Sequence, residues 1–105
     1  MGEFVIAVYK PKEGQGEQLD DLVRRHVTIL RAEGLVTDRP AYAMRSSDGT
    51  VVEVFEWLSK EAIEKAHTNP AVASLWEEFG AVCEYGTLGD LPEAGQIFAG
   101  FSAID

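Results

Sequence analysis

The chain has 105 residues, 46% of them hydrophobic, and a formal net charge of −9. That length suits one domain, residues 1–105, with a small core that a second copy would help to bury. The charge argues against nucleic acid and anionic membranes as partners, since both call for clustered Lys and Arg. Cys83 is the only cysteine, so no internal disulfide is expected and a cytoplasmic location fits. It has no cationic neighbour in sequence and sits on an apolar stripe, so it reads as a buried thiol and not as a nucleophile. The opening "MGEFVIAVYK" lacks a basic leader region, and no apolar run approaches the ~20 residues of a membrane span, so neither a signal peptide nor a spanning helix is expected. Met1-Gly2 lacks the Ser or Thr that a myristoylation site carries.

Residues 3–10, "EFVIAVYK", are rich in β-branched and aromatic side chains and read as a first strand, apolar on both faces. The spacing then becomes helical. Leu19, Leu22, Val23, His26, Ile29 and Leu30 form one stripe, and Gly34 follows as a left-handed cap. Ala41–Arg45 and Val51–Leu58 read as a hairpin around "SSDG". Ser59 caps a short helix, "KEAIEKAH"; Asn69 and Pro70 then start another, on which Val72, Leu75, Trp76, Phe79, Val82 and Cys83 recur at steps of three and four. "EYGTL" is a last short strand, and residues 89–105 form a C-terminal extension expected to hold a short helix, against which Gly95 and Gly100 weigh.

This order predicts an α+β fold, a ferredoxin-like β-α-β-β-α-β sandwich with helices on one face of an antiparallel sheet. The sheet is apolar on both sides and the helices hide one. A second copy is therefore expected to cover the other.

"FEWLSKEAIEKAH" carries an acidic residue and an aromatic, a polar turn, then Glu61-Ala62 and His67. Here, and broadly over residues 4–88, the chain resembles the antibiotic-biosynthesis-monooxygenase-like domains of the dimeric α/β-barrel superfamily. Aligned on Glu56 and His67, Leu58 stands where the family usually has its aromatic, and Trp57 is displaced by one. The resemblance implies a homodimeric α/β barrel and, in some members, cofactor-free oxygenation of aromatic polyketides or quinols; others are small stress-response proteins. Haem degradation in that superfamily uses an Asn on the first strand and a His late in the second helix. Neither stands at those places here.

The candidate catalytic residues are His67, His26 and Glu56, and the candidate substrate-binding residues are Trp57, Arg45, Tyr42 and Tyr9. His67 closes a helix, where the dipole alone explains an imidazole; facing a cavity, it would move a proton near neutral pH. His26 falls on the helical stripe, either as a hydrogen-bonded core residue or as a second acid/base group. Glu56 shares a face with Val52 and Val54 and calls for a cation, for which Arg45 across the hairpin is the expected partner, either as a staple or as an anion stabiliser. Trp57, on the face of Glu53 and Phe55, lines a flat pocket or fills a dimer seam. Tyr9 and Tyr42 could position a phenolic ligand, whereas Trp76 reads as core. Two histidines without a third ligand make a poor metal site, so no metal and no cofactor are expected. Two functions stay open: a cofactor-independent monooxygenase, or a related isomerase or cyclase, on a small aromatic compound; and a non-catalytic dimer that binds a small ligand.

Overall fold

The computed structural model describes residues 2–104; Met1 and Asp105, the first residue of the N-terminal motif and the last of the C-terminal extension, lie outside the described residues. In chain order, strand β1 (Glu3–Pro11) leads to helix α1 (Gly16–Ala32), then strands β2 (Tyr42–Arg45) and β3 (Val51–Trp57). Helices α2 (Lys60–Ala66) and α3 (Pro70–Val82), strand β4 (Cys83–Gly86) and a two-residue strand β5 (Ser102–Ala103) follow. All strand pairs are antiparallel, in the order β4-β1-β3-β2-β5. No helix among the described residues is long and apolar enough to cross a membrane.

Local chemistry sets the boundaries. In the hairpin turn, Ser46 N–H donates to Thr50 O at 2.8 Å, and Gly49 takes φ 92°, a region that a side chain would resist. The Ser59 side chain accepts from Ala62 N–H, and Asn69 accepts from Ala71 and Val72 N–H ahead of Pro70, so the starts of α2 and α3 have side-chain partners for some of their free donors. The Asn69-Pro70 start is why the helical stretch splits in two. Cys83 lies one residue past the helical stripe, as the first residue of β4; it is buried, its thiol donates to Phe79 O at 3.1 Å, and burial raises its pKa.

The register β1–β3 pairs Val5 with Phe55, Ala7 with Glu53 and Tyr9 with Val51. These odd-numbered residues face the helices. Phe55 and Trp57 pack with Val27, Leu30 and Val72, while Tyr9 and Val51 pack with Leu19, Leu22, Leu75 and Phe79.

The even-numbered residues form the other face. It is only partly covered, and by the chain itself. Leu91 packs on Val8 and Val52, with Phe101 and Met44 alongside, and β5 hydrogen-bonds to β2. The C-terminal extension is thus two 3-10 turns (Leu88–Asp90 and Pro92–Gly95) and a strand, in place of the expected short helix. The two glycines disfavour a helix there, and contacts to the sheet replace it. Glu93 fastens the segment: its carboxylate accepts from Ser46 Oγ at 2.6 Å and from Ser47 N–H at 3.0 Å. Beyond it, Phe4 (57% exposed), Ile6 (48%) and Tyr42 (62%) stay open to solvent.

The hydrogen bonds from Ser46 and Ser47 lower the Glu93 pKa below the ordinary carboxylate value. A depressed pKa means that the anchoring is fully present above that ordinary value and is lost as the pH falls through the folded one. Hydrogen-exchange protection at Ser102–Ile104, referenced to the intrinsic rate at each pH, is expected to fall in acid while β1 and β3 stay protected, and Glu93→Ala should give the same pattern at neutral pH.

Candidate functional site

Between β1, β3, β4 and the helices lies a cavity of about 510 Å³, within the range of small-molecule sites. Its wall is largely aromatic, with Phe55, Trp57, Trp76 and Phe79, and Tyr85 stands at its exposed rim. β4 pairs only with Val8–Pro11 of β1, so the first half of β1, including Val5–Ala7 of the wall, has no strand on its outer edge among the described residues.

His26 brings to this wall a buried ring nitrogen that has no partner. The helical stripe of α1 turns it onto the sheet, where it is 3% exposed and set edge-on to Phe55 and Phe79, with ring centroids 5.3 and 5.0 Å away. Its Nδ1 lies 2.8 Å from Oε1 of Glu53, a carboxylate only 1% exposed. The same oxygen accepts the Tyr9 hydroxyl at 2.8 Å. Burial first, and then the Glu53 charge, holds the Tyr9 phenol far above its ordinary pKa, so Tyr9 remains a donor. With the carboxylate accepting, Nδ1 carries the hydrogen, and a neutral His26 leaves Nε2 bare. Nε2 is buried and has no hydrogen-bond partner. Such a group is costly to leave unmatched, and it belongs to an imidazole that lines the cavity.

A carboxylate behind an imidazole fixes the ring's orientation and stabilises the imidazolium that forms when Nε2 takes a proton. The arrangement can thus accept a proton from a molecule held against aromatic walls. Among the described residues, no group of three or more His, Cys, Asp or Glu side chains could hold a metal ion.

The structure brings together His26, Tyr9 and Trp57 of the expected site. His67 lies elsewhere: it is exposed at the end of α2, edge-on to Trp76 with centroids 5.2 Å apart, and it does not line the cavity. Glu56 is on the opposite face of the sheet. There its Oε1 accepts from Thr37 Oγ1 at 2.9 Å and pairs with Arg39 Nε at 2.9 Å. The expected Glu56–Arg45 pair does not form, because Arg45 reaches across to Asp20 of α1 at 2.6 Å. Tyr42 projects from the open sheet face. Trp76 is half-buried and lines the cavity, beyond its expected core role. Glu53 was not among the expected site residues; the signal available for it was a carboxylate two positions from Phe55 on an aromatic face.

Tyr9→Phe removes a hydrogen bond to Glu53 and should cost about 0.5–1.5 kcal/mol by urea denaturation. Glu53→Ala strands both the Tyr9 hydroxyl and His26 Nδ1, at about 1–3 kcal/mol for each buried group left unmatched, and should be the more damaging change. Nitrogen NMR of neutral His26 should find the hydrogen on Nδ1.

No protein-family model matches the chain, and no curated protein sequence matches it significantly.

Proposed function

We propose that the chain is an antibiotic-biosynthesis-monooxygenase-like domain of ferredoxin-like order that works as a homodimer and oxygenates a small aromatic compound without a cofactor. The observation that carries the activity is the bare Nε2 of buried His26, backed by Glu53, on an aromatic cavity. Strand order β4-β1-β3-β2, with α1 and α3 packed together on one side of the sheet, supports the fold reading.

Cofactor-free oxygenation asks for a substrate that yields an electron to dioxygen once deprotonated. An anthrone-type methylene, conjugated through its flanking rings with a carbonyl, meets this need. His26 removes a proton, the resulting enolate reacts with dioxygen, one oxygen atom stays as the new carbonyl and the other leaves as water. Electrons balance without an outside reductant. The protein supplies a base, orientation and a dry wall. The proton-accepting role expected of His67 passes to His26, with Glu53 in the orienting place expected of Glu56.

Oxygen uptake with a panel of anthrones and hydroquinones tests this reading. Turnover is expected in the wild type and in His67→Ala, with a fall of about 10²–10⁴-fold in His26→Ala, the usual worth of a positioned base. Saturable binding of these compounds without oxygen uptake would favour a non-catalytic ligand-binding dimer.

The open face of Phe4, Ile6 and Tyr42 supports the dimer, since contiguous exposed apolar surface on a small chain marks a contact site. Sedimentation velocity at micromolar concentration should give a dimer. Phe4→Glu should shift it toward monomer without unfolding it, because Phe4 is already exposed.

A further inference from the structure

We infer that the His26 cavity takes an aromatic weak acid only together with its proton, so that the complex holds one hydrogen shared between the ligand oxygen and His26 Nε2. This rests on the reading of the cavity as a site for an acidic aromatic compound, and it fixes which form of that compound the site selects.

The argument is one of charge. Among the described residues of the cavity wall there is no Lys and no Arg. The nearest formal charge behind His26 is the Glu53 carboxylate, 2.8 Å from Nδ1. Around the imidazole, β3 presents Glu53, β1 presents Tyr9, and β4 contributes Tyr85 and Cys83 near Tyr9, while α3 offers the rings of Phe79 and Trp76. Each of these ionisable groups is negative or neutral, and Lys10, whose side chain passes Gly86, pairs with Asp90 at 3.3 Å. The chain as a whole carries −9. A bare phenolate entering here would be a desolvated anion with the Glu53 carboxylate behind the imidazole and no Lys or Arg among the described residues of the wall to meet it.

A protonated ligand meets no such obstacle. Its hydroxyl donates to Nε2, which satisfies a buried nitrogen otherwise without a partner. If the proton crosses, the pair becomes phenolate and imidazolium, and Glu53 stabilises the imidazolium from behind. Either way the complex contains the same atoms and the same charge. Linkage then sets the pH dependence. At a pH where the free ligand is the anion and free His26 is neutral, binding must take up one proton, and the affinity falls about tenfold for each further pH unit.

The test is a binding titration with 4-nitrophenol, followed by quenching of tryptophan fluorescence, from below to well above the ligand's pKa. The methyl ether, 4-nitroanisole, is run in parallel. The expected result is the tenfold fall per pH unit for the phenol. The ether, which has no proton to give, should bind at least tenfold more weakly than the neutral phenol and with no pH dependence over the same range. An affinity that is flat or rises above the ligand's pKa would overturn the inference, because the anion would then be received on its own. An ether as tight as the phenol would also overturn it, by removing the hydrogen bond to Nε2. Both outcomes leave an aromatic ligand in the cavity and so leave the underlying reading standing. If neither compound binds to protein that circular dichroism reports as folded, that reading falls and the inference falls with it.

Discussion

A carboxylate sealed between a sheet and two helices has to be met by donors, and this constraint organises the interior of the protein. Glu53 is 1% exposed, and its Oε1 takes hydrogen bonds from Tyr9 on β1 and His26 on α1. Three elements separated widely in sequence are tied at one oxygen atom. An ionised group in such a place adds little net stability over an apolar replacement, while removal of one partner is costly. The yield is orientation: the imidazole is pinned through Nδ1, its ring is gripped edge-on by Phe55 and Phe79, and its second nitrogen is left without a partner.

Much of the architecture could be read from residue order. The "SSDG" turn, the Ser59 and Asn69 caps and the change from strand to helical spacing each rest on chemistry confined to a few neighbouring residues, and the structure places elements where that chemistry directs. The C-terminal extension escaped this logic. Its conformation is decided by Leu91 and Phe101 against the sheet and by Glu93 against the hairpin turn, contacts that span some 40 residues or more and leave no local trace.

The site was legible only in part, for a reason of symmetry. In "VVEVFEW" both faces of the strand are apolar, so alternation says that Glu53 and Glu56 point opposite ways without saying which points inward. The helical stripe did bring His26 to the sheet. The placement of Glu53 opposite it depends on how α1 crosses β3, which no spacing within either element records. The same ambiguity suggested Arg45 for Glu56, whereas Arg39 and Thr37, from the irregular segment after α1, occupy that carboxylate.

The tail that Glu93 fastens has a further effect on how two chains can meet. It already roofs the end of the sheet around Val8 and Val52, leaving bare the end around Phe4 and Tyr42. In the proposed homodimer, a twin seated on that remainder would sit to one side of the sheet, with each chain's tail as a kerb to the other. The proposed pairing would then depend on residues 91–104 as much as on the strands themselves.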